Sequence, residues 1–291
     1  MRHHTAFYKK RFTIFDVCNM LFMTLFSLTI LFPFWHLLII SIESPKFATS
    51  SGLHLWPKAV SGANYREVFF NRYIWTGYKN TLIRTVSGTA VQLFFTALAG
   101  YALSKKYFPN RSLWTLFIVF TMFFSGGLIP SYMLIRTLKL FDTYAVMVLP
   151  GLIGAYNLVL MRNFFISLPE ELEESCMIDG AGRFTIFFRI VVPISMPIIA
   201  TIGLWLAVGH WNAWFDVLLY VRNTDMFTLQ IILRRIIQTG TDEMLDMNEV
   251  QASTEGVKAA TIFVATLPIL CVYPFIQKYF VKGVMVGSLK G

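Results

Sequence analysis

The sequence is poor in charge. Only 14% of its 291 residues are Asp, Glu, Lys or Arg, against about 25% in a typical soluble domain. A water-soluble fold of this length cannot hide a hydrophobic fraction of 56%, because a folded chain still exposes much of its surface. Lipid has to solvate the excess. Cysteine is also scarce: Cys18, Cys176 and Cys271 lie far apart with no metal-ligand spacing. That excludes a disulfide framework, and leaves the three as small buried hydrophobes. The five histidines, His3, His4, His36, His54 and His210, are too scattered for a clustered catalytic set, so no enzyme is expected. There is no G-x-x-x-x-G-K-[ST] phosphate loop, and Gly180-Ala181-Gly182 is too short for a dinucleotide loop. Acids number 16 against 25 basic residues, a net charge of +9. The basic residues fall between apolar segments instead of on one face, which points away from nucleic acid and toward anchored membrane helices.

What the chain has in abundance is long apolar sequence. Six segments reach the roughly 20 residues needed to cross a bilayer: 15–42, 80–104, 112–132, 144–166, 192–215 and 257–277. The expectation is an all-α polytopic membrane protein with six transmembrane helices. Its division is a tail at 1–14, one membrane domain over 15–280 and a second tail at 281–291. The first apolar run continues well past the roughly 7–15 residues of a signal-peptide core and has no small-residue cleavage site in place, so it reads as a retained span. Short basic stretches fix the direction. Arg2, Lys9, Lys10 and Arg11 precede span one, Lys105 and Lys106 follow span two, and Lys278 and Lys282 follow span six. By the positive-inside rule both termini are then cytoplasmic. The outside segments 43–79 and 216–256 are long, and the second holds an apolar stretch at 226–237 expected to be helical. Arg84 and Lys258 are expected to snorkel to the interface. The middles of the spans are nearly free of charge, which argues against an ion-gradient-driven secondary transporter, the rival transport reading.

The segment between spans four and five is the most informative. Ser167-Leu168-Pro169-Glu170 fits a capping box, and Glu170, Glu171, Glu173 and Glu174 crowd a helix start where the dipole favours negative charge. Asp179-Gly180-Ala181 breaks that helix. A second helix then presents Phe184, Phe187, Phe188 and Val191 at i, i+3, i+4 and i+7, and Pro193 opens span five. The expected result is a hairpin at 167–193 whose aromatic face no span covers, and such a patch rimmed by charge marks a partner site. An interfacial hairpin lying on lipid is the alternative. In span five, Trp205, His210, Trp211 and Asn212 gather aromatic and polar groups of the kind that line a ligand path. The alternative there is an aromatic belt, which suits Trp214 and Phe215 best. His210 alone reads more simply as a satisfied helix-contact histidine.

Here the chain resembles a family. Glu174-Ser175-Cys176, Gly180 and Val192-Pro193 look like the EAA loop of binding-protein-dependent ABC importer permeases, with both alanines replaced by small residues. Asn80-Thr81-Leu82, Gly100-Tyr101-Ala102-Leu103-Ser104-Lys105, Trp211-Asn212 and Gly287-Ser288-Leu289-Lys290-Gly291 resemble the carbohydrate-uptake permeases of the maltose-permease type. Phe124-Ser125-Gly126-Gly127-Leu128-Ile129-Pro130 is similar to a subgroup associated with oligosaccharides or polysaccharide fragments. The resemblance implies the type I ABC importer permease fold in a bacterial inner membrane. It implies a second permease, with a heterodimer favoured, two ATPase subunits and an extracytoplasmic sugar-binding protein. No cofactor belongs to this chain, since ATP and Mg would sit on the ATPase. Glu174, Ser175, Cys176, Asp179, Gly180, Ala181, Phe184, Phe187, Phe188 and Pro193 would couple to that ATPase.

Overall fold

The computed structural model describes residues 13–50, 52–239 and 253–288, with side chains described as far as 238 and from 253 to 271. Among the described residues there is no strand, only an isolated bridge between Glu43 and Val60. The described residues fall into two compact units, one ending at Val68 and resuming up to Phe263, the other beginning at Phe69 and including Val264 onward.

In the first unit, α1 runs Ile14–Ile42. Thr13 and Asp16 cap it reciprocally, with the Thr13 N–H donating to Asp16 Oδ2 at 2.9 Å and the Asp16 N–H to Thr13 Oγ1 at 3.3 Å. Phe22, Leu25 and Leu28 are among many exposed apolar residues along it, which only lipid can solvate. Its hydroxyls turn inward on the helix, as when Thr24 and Ser27 donate to the carbonyls of Met20 and Met23. Those hydroxyl hydrogens are then satisfied within the helix instead of facing hydrocarbon. Short helices α2 (Pro45–Ala48) and α3 (Ala63–Phe70) follow. Asn64 of α3, fully buried, ties the unit together: its amide donates to the carbonyls of Ser41 and Glu43, and its Oδ1 accepts from the Ser253 N–H.

The second unit is organised by α4, Arg72–Ser104, which Asn71 caps through Tyr73 N. It starts eight residues earlier than the apolar pattern predicts, because the cap rather than hydropathy sets the boundary. Against it lie α7 (Ala155–Ile166), α11 (Met196–Asn212) and α13 (Leu229–Thr239). The last of these is the helix expected near 226–237. The long helix α14, Thr254–Ser288, closes the chain.

Three expected spans are broken. Span three is α5 (Arg111–Phe123) and α6 (Leu128–Thr137), bent by 114° where Gly126 and Gly127 precede Pro130. Span four pairs 3-10 turns at Tyr144–Gly151 with α7, bent by 55° around Pro150 and Gly154. Span five joins Arg183–Ile194 to α11 through an 82° bend with Pro193 and Pro197 on either side. Proline removes a helical donor and glycine lifts the φ limit, so each break falls where the sequence cannot sustain the ladder. Among the described residues, three helices are long and apolar enough to cross a membrane whole, and up to six spans result if each bent pair counts as one. The cysteines are a correction. Cys18 and Cys271 are exposed on their helices, and only Cys176 is partly covered, because in lipid an outward thiol meets no water.

Close approach to α4 depends on small residues. A Cβ on Gly88 would strike the imidazole of His210. Gly88→Ala is therefore overpacked and should cost about 1–3 kcal/mol. Gly209→Ala meets nothing within 4 Å and should be neutral or slightly stabilising, since Ala is the better helix former. Thermal unfolding of the two variants in detergent checks the contrast.

Candidate functional site

Among the described residues, two places in the second unit hold the site residues expected from the sequence. The first is the hairpin between spans four and five. Its leading helix is α8, Glu171–Ile178, and the second arm begins at α9, Arg183–Ile186. The capping box does not form. Ser167 closes α7 and donates to the Phe164 carbonyl at 2.7 Å, while α8 starts without a side-chain cap. Ser167 meets the end of one helix before it can begin the next. The acidic first turn of α8 finds cations instead. Lys106 Nζ lies 2.7 Å from Glu170 Oε1 and holds that carboxyl below its usual range. Glu173 is 8% exposed and pairs with Lys105, and its Oε2 accepts from the Tyr101 hydroxyl at 3.1 Å.

The Asp-Gly break has a definite geometry. The Gly180 N–H donates to the Met177 carbonyl at 3.0 Å, and the Ala181 N–H to the Cys176 carbonyl at 2.9 Å. With φ at +81° at Gly180, these are the two bonds of a Schellman cap. They explain the small residues of the motif: Cys176 and Ala181 are the contact pair of that cap, and both pack on the core of Ala97, Tyr101, Met161 and Phe165.

The aromatic face is not uncovered as expected. Phe187 is 2% exposed, and with Ile186 and Val191 it lies in that core, its ring 5.0 Å from Tyr101. The face that the sequence leaves uncovered is covered by the chain's own core, and a π-helical stretch at Phe187–Val191 departs from the 3.6 period beyond that point. Phe184 stays 71% exposed, and Phe188 stacks on Phe94 at 6.5 Å. The predicted coupling residues thus divide. Cys176, Ala181 and Phe187 point into the protein, whereas Glu174, Ser175, Asp179, Gly180, Phe184, Phe188 and Pro193 are exposed.

The second place is a cavity of about 400 Å³ among α4, α11, α12 (Phe215–Tyr220) and the turn at Leu149–Gly151. Its wall includes Arg84, Gln92, Trp205, Gly209, His210 and Asp216. Arg84 is 4% exposed and does not snorkel. Its guanidinium forks onto Asp216, with Nη1 donating to Oδ1 at 3.1 Å and Nη2 to Oδ2. Its Nε donates to His210 Nδ1 at 3.4 Å. Because Arg cannot accept, the His210 proton sits on Nε2 and donates to Gln92 Oε1 at 3.2 Å. Gln92 Nε2 then donates to the Gly151 carbonyl at 2.6 Å. His210 is thus a satisfied helix-contact histidine and a cavity wall at once. Trp205 is partly buried and stacks on Tyr156 with ring centroids 6.2 Å apart. Trp211 packs edge-on against Tyr78, and Asn212 is exposed and bonds the Val208 carbonyl of its own helix. Neither lines the cavity.

Sequence reasoning missed Arg84, Gln92 and Asp216 here and Tyr101, Lys105 and Glu173 at the hairpin. A signal existed. Asn80, Arg84, Gly88, Gln92, Thr96, Gly100 and Ser104 recur at every fourth residue of an apolar helix, and all are buried.

Residues 106–286 match the family described as the binding-protein-dependent transport system inner membrane component. The chain belongs to this family. As a permease it is 40% identical to Protein LplC of Bacillus subtilis (strain 168) over 99% of both chains. It is 38% identical to the polygalacturonan/rhamnogalacturonan transport system permease protein YtcP of the same organism, over 96% of this chain and 99% of that one. Among solved structures, a bacterial ABC transporter involved in import of the acidic polysaccharide alginate has a chain matching with a TM-score of 0.86 and 31% identity. The match covers 95% of this chain and 100% of that one. The protein is therefore an all-α permease component of an ABC importer in the inner membrane, a transport subunit. Span charge alone does not separate it from an ion-driven carrier, as the pairing of buried Arg84 with part-exposed Asp216 makes plain.

Removing one partner of a buried ion pair costs about 3–5 kcal/mol, because the other is left uncompensated, whereas replacing both by apolar groups is close to neutral. Asp216 keeps 27% of its side chain exposed, so Arg84→Met should lower the unfolding temperature of the permease by less than that full penalty implies, and Arg84→Met with Asp216→Leu should recover part of the loss. A double-mutant cycle of melting temperatures reads the coupling.

Proposed function

We propose that this permease imports a sugar, an oligosaccharide or polysaccharide fragment, past the cavity beside Trp205. The observation that supports it is a flat indole face next to the polar groups of Gln92, His210 and Asp216, the combination a ring with hydroxyls asks for. The relatives' substrates, polygalacturonan/rhamnogalacturonan and alginate, support the same class. Trp205 and His210 stand on this path, with Trp211 and Asn212 on neighbouring faces of α11.

The second part of the proposal is coupling. The hairpin at 167–193 docks an ATPase subunit through its exposed set, with Glu174, Asp179 and Phe184 as contacts, and ATP with Mg is handled by that subunit. The importer pairs this chain with a different permease and receives sugar from an extracytoplasmic binding protein, both termini lying in the cytoplasm. Differential contacts in the docked state shift the spans between two arrangements. What supports it is an acidic, apolar and solvent-facing tip held on a rigid cap.

Uptake of a panel of oligosaccharides, rhamnogalacturonan fragments among them, tests the path. Trp205→Ala should cut uptake while the ATPase still co-purifies, and unchanged uptake would move the path elsewhere. Gly180→Pro should abolish ATPase recovery in a pull-down, since proline cannot adopt φ of +81° and loses the bond to Met177. Glu174→Lys reports enclosure of the joint. An exposed pair is worth about 0–1 kcal/mol, so loss of binding by much more than that means Glu174 is buried against the ATPase. Normal ATPase recovery by both variants would remove the docking assignment.

A further inference from the structure

The exposed side of the hairpin meets a partner, so its movement has to reach the spans by some contact within this chain. Among the described residues, the hairpin reaches α4 and the turn after it by apolar and ring contacts, Phe188 on Phe94 and Arg183 over Tyr107 among them, and by two ion pairs. Phe187 also lies on Tyr101, with Cys176 and Ala181 on the same core. Apolar contacts are non-directional, so they hold the hairpin close without fixing its axial register. One ion pair is Glu170 with Lys106, both well exposed at 60% and 75%, and a pair in open solvent transmits little. The other is made by Glu173.

We propose that Glu173 is the positioning residue through which movement of the hairpin enters α4 and reaches the cavity; this rests on the reading of the hairpin as the ATPase dock. Both its oxygens are spent on the last turn of α4. Lys105 Nζ bonds Oε1 and the Tyr101 hydroxyl bonds Oε2. Lys105 also sits over the Tyr101 ring at 4.5 Å, so the three groups brace one another. The side chains of the pair are 10% and 14% exposed, enough burial for a short, directional bond to resist exchange with water. Each charge also suits its helix end, the acid in the first turn of α8 and the cation at the C-cap of α4. An apolar pair at these positions would hold as well or better, so cohesion alone gives no reason for the ion pair. A fixed direction does. From Ser104, next to Lys105, to Gln92 the helix is unbroken, about 18 Å at 1.5 Å per residue. A push at the C-cap therefore arrives at the Gln92–His210–Arg84 chain as rigid-body movement.

The test uses the complete importer in lipid vesicles, with the three native cysteines of this chain replaced by alanine. One reporter is Gly209→Cys, whose thiol enters open space in the cavity. The other is Ile178→Cys at the hairpin tip, 86% exposed. Maleimide labelling rates are measured with and without ATP and Mg. In the parent, the ATPase protects the tip and ATP changes the cavity rate. Glu173→Gln should leave the tip protected and shrink the cavity response about fivefold or more, the lower end of usual site-to-site coupling. Tyr101→Phe, which removes one bond and keeps the ring, should shrink it less. Glu173→Lys with Lys105→Glu should restore part of the response, since the pair returns but each charge now opposes its helix end. A merely structural role would not produce this pattern. A full ATP response in both Glu173→Gln and Glu173→Ala would overturn the proposal, as would a parent whose cavity reporter ignores ATP. An unprotected tip in the parent would instead defeat the docking assignment itself.

Discussion

The second unit is built on one constraint: a long apolar helix must present a face that other helices can approach without stranding polar groups. On α4 that face recurs every fourth residue from Asn80 to Ser104. Four residues overshoot one turn by about 40°, so the face winds around the helix as it descends. Different neighbours therefore meet it at different heights. Asn80 and Thr81 bond the backbone leading into α13, at Phe227 and Leu229. Gly88 admits the His210 ring of α11. Gly100 admits Met161 of α7, within 3.1 Å of where a Cβ would stand. Small residues allow close approach and polar ones bond across it, the two devices open to helices that gain nothing from hydrophobic association in lipid.

The same winding explains why charge is tolerated midway. Arg84 lies where α11 ends and α12 begins, so Asp216, the Ala213 carbonyl and His210 converge on one guanidinium. The chain of donors then runs in one sense, from Arg84 through His210 and Gln92 to Gly151. Gly151 belongs to a turn rather than to a helix, so its carbonyl has no intrahelical partner to lose. The break in span four supplies an acceptor, and the polar stripe of α4 supplies the donor. Irregular backbone at membrane depth is kept where it faces a cavity, and here one wall of that cavity is the carbonyl the break releases.

Apolar length was enough to read the helical class and the six segments, because hydrocarbon thickness leaves few alternatives. It was not enough to read their breaks. Span three looks continuous because Phe124 and Leu128 are as apolar as their neighbours, and only Gly126, Gly127 and Pro130 betray the 114° bend. The hairpin was legible through Asp179-Gly180, whose conformation depends on neighbours in sequence. Its aromatic face was not, because Phe187 is covered by Tyr101, a residue 86 positions away in sequence. Arg84 was misread for a related reason. Its partner lies 132 residues away, and a snorkelling arginine and a buried one look alike until that partner is placed.

The division of the hairpin into inward and outward residues gives its motif a physical reading. Positions 176 and 181 stay small because the cap of α8 presses them against each other and against α4. Glycine at 180 is required by a left-handed φ with open space around it, a conformation that side chains adopt only under strain. Neither requirement involves a partner. They hold α8 at a fixed angle, and that angle points Glu173 inward and Glu174 outward on adjacent positions of one turn, about 100° apart. Two neighbouring carboxylates thus face opposite ways, one into the protein and one out of it. Whatever moves the outer one displaces the inner one by nearly the same amount, because a capped helix of eight residues has no hinge between them.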